Sequence, residues 1–145
     1  MMIRAGLLIC VALVLASCTD RRPAPVRGEA YIIERDVGGQ FISDEADRSM
    51  LKRWGGPVEI RDYCASAFVI FTTLPNVCIA PDAKIGFHSS DVNVGFVGNP
   101  QMAKYLRGRI KQQFLAEWQF VPNTDIHWVS ARDYVALDPQ TLLCS

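Results

Sequence analysis

The hydrophobic pattern of the chain changes period several times, and each change predicts an element. Ala30-Tyr31-Ile32-Ile33-Glu34-Arg35 is a short β-prone run that Gly38-Gly39 stops. From Ser43 to Trp54 the period becomes helical: Ala46, Met50, Leu51 and Trp54 recur on one face, Ser43 can cap, and Asp44 and Glu45 suit the first turn. Gly55-Gly56-Pro57 ends that helix. Val58 to Tyr63 alternates as a strand does, whereas Ala65 to Thr73 is apolar on every side, which predicts a buried helix. Leu74-Pro75-Asn76 breaks it, Val77 to Ala80 predicts a short strand, and Pro81-Asp82-Ala83-Lys84 turns the chain into Ile85-Gly86-Phe87-His88.

Val92 to Gly98 reads as a glycine-rich loop, and Asn99-Pro100 as a cap followed by proline in the first turn of a helix. Met102, Leu106, Ile110, Phe114 and Trp118 stand four apart and form one apolar stripe, read as core without chemistry. Ile126 to Val129 predicts a further strand, and Ser130-Ala131-Arg132-Asp133 is a capping box with Asp in the usual place of Glu or Gln. Strand, helix, strand, helix, two strands, helix, strand, helix is the order of an α/β fold with parallel βαβ units.

The N-terminus has a different pattern. Met1 to Arg4 carry a positive charge, Ala5 to Ala16 are an unbroken apolar run, and small residues precede Cys18. Twelve apolar residues fall short of the roughly 20 that a spanning helix needs. Leu15-Ala16-Ser17-Cys18 resembles the lipobox of bacterial lipoproteins, in which the cysteine carries the lipid; an ordinary cleaved secretory signal is the alternative. This divides the chain into a signal peptide over 1–17, a polar tether with two prolines over 18–28, and a folded domain over 29–145. The lipid, palmitate in part, would hold the protein to the membrane, and Thr19 after the cysteine implies the periplasmic face of the outer membrane.

With 145 residues the chain has room for one domain, and its 15 basic and 15 acidic residues balance. Basic stripes interleaved with aromatics are missing from the sequence, so nucleic acid is not an expected partner. Neither CxxC nor HExxH occurs, which argues against a metal site. Cys10 would leave with the signal and Cys18 would be acylated, so Cys64, Cys78 and Cys144 allow one disulfide with three possible pairings.

Two residues carry candidate chemistry. Ser66 lies where a strand passes into a helix, beside free N–H groups and the positive end of the helix dipole. His88 closes a strand. A serine nucleophile needs a base within reach and donors aimed at the oxyanion, and the ends of parallel strands meet on one edge of the sheet, where such sites form. The competing reading makes Ser66 a helix cap and His88 a strand end.

A strand ending in Gly-Gly, a helix, Cys64-Ala65-Ser66-Ala67, an apolar helix, and then Cys78-Ile79-Ala80-Pro81-Asp82-Ala83-Lys84-Ile85-Gly86-Phe87-His88 resembles the exported ClpP-like serine peptidase-type proteins, of ClpP/crotonase fold. That resemblance implies Ser66 as nucleophile, His88 as base, the N–H groups of Gly39 and Ala67 as oxyanion hole, and Asp125 as the orienting carboxylate, with Asp91 and Asp133 as weaker choices. It implies a peptide or protein substrate and no cofactor, and it favours a Cys64–Cys78 disulfide by placing their strands side by side. A catalytically silent envelope lipoprotein that keeps the fold as a binding module is the alternative.

Overall fold

The computed structural model describes residues 22–90 and 98–145, so the signal run, Cys18, Asp91 and the glycine-rich stretch before Gly98 lie outside the described residues. The fold is mixed α/β. A six-stranded sheet is built from β1 (Tyr31–Asp36), β2 (Val58–Ala65), β3 (Val77–Ile79), β4 (Lys84–Phe87), β5 (His127–Ser130) and β6 (Leu142–Leu143). β2 is its axis. β1 runs parallel along one side, while β3 pairs with Val58–Ile60 and β4 with Tyr63–Ala65. Thus β3 and β4 follow each other beside one longer strand, and the turn at Pro81-Asp82 bridges them. β6 adds to β3 in parallel, and only β5 on β4 is antiparallel.

Among the described residues the helices are α1 (Phe41–Trp54), a 3-10 helix over Ser66–Thr73, α2 (Gly98–Tyr105), α3 (Gly108–Ala116), a short 3-10 turn over Trp118–Phe120 and α4 (Ala131–Leu137). The run after Ala65 is buried on every side, as its composition predicts, but it winds as 3-10 helix rather than α-helix. Phe87 on β4 meets Trp118, Phe114 and Tyr134 with centroids 4.8, 6.1 and 6.4 Å away, tying the sheet to the helices that follow it. Of the four-residue stripe, Met102, Leu106, Ile110, Phe114 and Trp118 are all buried. It is nonetheless interrupted. The chain leaves the helix after Tyr105, the Arg107 guanidinium donates to buried Asp138 at 3.0 and 3.1 Å, and Gly108 takes φ +54° against the Leu137 carbonyl.

Ser130 caps α4 as predicted, its Oγ accepting from the Asp133 N–H at 3.2 Å. α1 starts earlier than Ser43: it begins at Phe41, and Ser43 Oγ donates to the Gln40 carbonyl. Gly55 ends it in the left-handed region at φ +74°.

The cysteine pairing differs from the one the resemblance favours. Cys78 bonds Cys144, with Cα atoms 4.9 Å apart, and Cys64 is a buried free thiol. Register explains it. Cys78 lies opposite Glu59, five residues before Cys64 on β2, or about 16 Å along the strand. On its other side Cys78 faces Leu142 of β6, which brings Cys144 into reach. Burial pushes the Cys64 thiol up to about 12, so it is no nucleophile at neutral pH.

The expected tether also engages the body. Tyr31 Oη donates to the Pro23 carbonyl at 3.1 Å, and the Arg22 guanidinium lies 2.6 Å from Asp36, 3.5 Å from Asp44 and 3.7 Å from Asp47. Contacts with the domain therefore reach back to Arg22 rather than starting at Glu29. Among the described residues no helix is long and apolar enough to cross a membrane.

Candidate active site

β1, β2 and β4 are parallel and in register, Asp36 opposite Cys64 and Ala65 opposite Gly86, so all three end at one edge of the sheet. Ser66 and His88 are the next residues out from two of these ends, and Gly38 stands two residues beyond the third. Adjacent strands lie about 4.8 Å apart. The sheet thus assembles at one edge the three sequence features that stand 50 residues apart along the chain.

Ser66 has φ +64°, the left-handed region that a non-glycine residue adopts at a cost. Its strand ends at Ala65 and its helix begins at Ser66 itself, so the backbone turns sharply at the hydroxyl-bearing residue. Gly38 packs directly on this turn. A Cβ on Gly38 would lie 2.8 Å from Ser66 Cβ, 2.9 Å from Ala67 N and 3.0 Å from the Ala65 carbonyl oxygen, and Gly38 itself needs φ +76°. Only glycine meets both conditions.

The glycine pair divides its labour. Gly38 N–H donates to Asp36 Oδ1 at 2.8 Å, which fixes the turn. Gly39 N–H and Ala67 N–H donate no described hydrogen bond, Ala67 because it stands in the first helical turn with no intrahelical acceptor. These are the two donors that the family resemblance implies for an oxyanion, and both are uncommitted among the described residues.

His88 is half-buried, and its Nδ1 lies 2.6 Å from the Ser89 carbonyl. A carbonyl only accepts, so Nδ1 carries a proton, and in the neutral ring the lone pair is then on Nε2. The segment holding His88 is clamped: Ser89 N–H donates to the Val121 carbonyl at 2.7 Å, and Ser90 N–H to Asn99 Oδ1 at 2.7 Å. Asn99 is buried and donates through Nδ2 to the Gln119 carbonyl. The sequence suggests a helix cap at Asn99; the structure makes it a bracket between the His88 segment and the turn at Trp118–Phe120. No direct Ser66–His88 hydrogen bond occurs among those described.

Asp125 is not the residue that orients His88. It is exposed in the turn before β5, where its N–H donates to the Pro122 carbonyl, and the Nδ1 position of His88 belongs to the Ser89 backbone. Asp133 is engaged in the α4 cap, its Oδ2 accepting from Ser130 Oγ. His127, the other histidine, opposite Phe87 at the start of β5, stacks on Trp118 at 4.7 Å.

Two further participants are Asp36 and Arg22. Asp36, in the Asp-x-Gly spacing of an Asx turn, accepts from Gly38 through Oδ1 and from Arg22 through Oδ2, linking the N-terminal segment to the glycine turn. Arg22 stands in a polar stretch without period and gives no sequence signal. Its guanidinium also covers the rings of Phe68 and Phe71, at 4.8 and 5.1 Å, in the helix that Ser66 opens.

The acid cluster around Arg22 predicts a pH effect. Asp44 is buried, its Oδ2 has no hydrogen-bond partner among the described residues, and desolvation pushes its carboxyl up to about 6 against the attraction of Arg22. The native state therefore holds that proton more tightly than the unfolded chain does, and stability falls as pH rises from about 4 through about 6. Asp44→Asn should be level with the wild type near pH 4 and gain about 3 kcal/mol on it by pH 7, the linkage value of the raised carboxyl, in which the Arg22 attraction is already included. Parallel urea titrations across this range check it; a gain that does not grow with pH sinks the assignment.

A depression of about 360 Å³ is lined by Pro25, Arg27, Gly28, Trp54, Gly55, Gly56 and Pro57, where β2 begins. It holds no nucleophile or base, and it lies at the end of the sheet opposite Ser66. The chain matches no family model and no curated protein.

Proposed function

We propose that the protein is a lipid-anchored periplasmic serine hydrolase of the ClpP/crotonase type, acting on a peptide or protein through Ser66 and His88. The observation that carries this reading is the left-handed Ser66 at a strand-to-helix turn, packed under Gly38, on the sheet edge that His88 also reaches. A strained turn of this kind lifts a hydroxyl out of the backbone, as nucleophile elbows do.

In this mechanism His88 Nε2 takes the Ser66 proton as Oγ attacks the substrate carbonyl carbon. The oxyanion receives the N–H groups of Gly39 and Ala67. His88 then protonates the leaving amine, and a water deprotonated by the same nitrogen cleaves the acyl-enzyme. The Ser89 carbonyl holds the right tautomer but brings no full negative charge to the imidazolium, so this site would be slower than one with a buried carboxylate. Acylation of Cys18 and residence at the outer membrane belong to the same proposal, and metabolic palmitate labelling that persists in Cys18→Ser would remove them.

The same histidine favours a second reading, a silent binding module, because no carboxylate contacts its ring among the described hydrogen bonds. Fluorophosphonate labelling separates the two. Wild-type protein should label, Ser66→Ala should not, and His88→Ala should label at least about 100-fold more slowly, the usual worth of a general base. Folded wild-type protein that stays unlabelled leaves the binding module.

A further inference from the structure

Arg22 lies outside every strand and helix, yet it touches both parts of the backbone that meet at Ser66. Its guanidinium donates to Asp36 Oδ2 at 2.6 Å, and its Cζ stands 4.8 and 5.1 Å from the ring centres of Phe68 and Phe71. Asp36 leads into the glycine turn and accepts the Gly38 N–H through Oδ1 at 2.8 Å. Phe68 and Phe71 belong to the 3-10 helix that Ser66 opens, where they stack on each other at 4.6 Å and are fully buried. One side chain therefore joins the segment that carries Gly39 to the helix that carries Ala67. A planar guanidinium suits the task, since its edge can donate to a carboxylate while its face covers a ring. The backbone beside it is fixed as well, because Tyr31 Oη donates to the Pro23 carbonyl.

We propose that Arg22 is a positioning residue for the reaction of Ser66, holding the Gly39 N–H in place relative to the Ala67 N–H. This rests on the serine hydrolase reading above. The sheet does not fix that placement by itself. The β1–β2 register shifts between Glu34 and Asp36, and Arg35 takes φ +52°, so the regular ladder is lost just before the glycine turn. Nothing lies within 4 Å of a Cβ position on Gly39, so packing does not brace that end of the turn. The braces that remain are the contact of Gly38 with Ser66 and the Asp36 carboxylate, which is held at both oxygens. With Oδ2 on Arg22, Oδ1 stays on the Gly38 N–H. Without Arg22 the carboxylate is free to rotate toward water.

Asp44 and Asp47 also face the guanidinium, at 3.5 and 3.7 Å. Only Asp36 of the three bonds the glycine turn among the described hydrogen bonds, so the link to the site runs through it. Two N–H groups stabilise an oxyanion when both point at one place, and a misplacement of about 1 Å can cost roughly 100-fold. Loss of Arg22 should accordingly slow the chemical step and leave probe binding nearly unchanged.

The test follows phosphonylation of the full-length protein over a range of fluorophosphonate concentrations, which separates the saturating rate from the half-saturating concentration. Arg22→Ala should lower the saturating rate about 10–100-fold and move the half-saturating concentration less than about threefold. Arg22→Lys keeps a charge for Asp36 without the planar fork; it should show the same split at smaller size, and it serves if the alanine variant does not fold. Arg48→Ala controls for stability alone. That side chain donates to the Ile70 and Thr73 carbonyls, at the far end of the same helix, and its loss should lower Tm without lowering the saturating rate. Asp36→Asn keeps an amide oxygen for the Gly38 N–H but loses the ion pair. It should slow the wild type and add little in the Arg22→Ala background, because both changes break one link. The proposal is overturned if Arg22→Ala reacts at the wild-type saturating rate, if Arg48→Ala slows as much, or if Arg22→Ala and Asp36→Asn act additively. Folded wild-type protein that stays unlabelled removes the hydrolase reading itself, so the two failures are told apart.

Discussion

Reduction of the Cys78–Cys144 bond lowers the stability of the domain by about 4 kcal/mol, which corresponds to roughly 10–20 °C in Tm. The bond joins residues 66 apart, and the chain-entropy cost of closing a loop grows with its length. After Thr141, whose Oγ1 donates to the Thr72 carbonyl and accepts from Arg107, the chain is held by the two residues of β6 and, beyond them, by the Cys144 N–H donating to the Ile79 carbonyl. Cys78→Ser with Cys144→Ser should therefore lose β6 from the sheet before the rest unfolds, seen as rapid exchange of the backbone amide at position 144. Thiol counting gives an independent reading. Among Cys64, Cys78 and Cys144, alkylation should find none in the native oxidised protein, one after denaturation, and three after reduction. Two after denaturation without reduction would mean a mixed population, and a Tm indifferent to reductant would refute the structural role.

The alternating and helical periods of the sequence predict β1 to β5, α1 and α4 closely, because each combines a hydrophobic period with its own stop signal. Gly55 and the Ser130–Asp133 cap are examples. β6 escapes such reading: a two-residue edge strand has no period, and a disulfide across 66 residues is a tertiary fact. The break between α2 and α3 is hidden for a similar reason. The apolar stripe continues through it, and the interruption comes from Arg107 reaching Asp138, far along the chain. At the site, residue types and order point to Ser66 and His88 as candidates, and Gly39 and Ala67 come only from what the family resemblance implies. Asp125 misleads because sequence order cannot show that a backbone carbonyl already occupies His88 Nδ1.

Gly38→Ala should cost about 3–4 kcal/mol and slow any reaction of Ser66 at least tenfold, while Gly39→Ala should do neither. The two glycines are adjacent in sequence and opposite in circumstance. At Gly38 an L side chain meets a left-handed φ of +76°, worth about 1–2 kcal/mol, and its Cβ would press on Ser66 Cβ, Ala67 N and the Ala65 carbonyl. Two of those three atoms are backbone and cannot rotate away, so overpacking adds a further 1–3 kcal/mol or so. Relief comes by moving the Gly38 turn off the serine, which carries the Gly39 N–H away from Ala67 and opens the pair proposed to hold the oxyanion. At Gly39 nothing lies within 4 Å of a Cβ position, and alanine keeps the N–H. Urea unfolding and fluorophosphonate reaction rates of the two variants, side by side, make the comparison. Should both be equally stable but differ in reactivity, the turn acts on chemistry alone; should Gly38→Ala match the wild type in both, the close approach over Ser66 is not a feature of the folded protein.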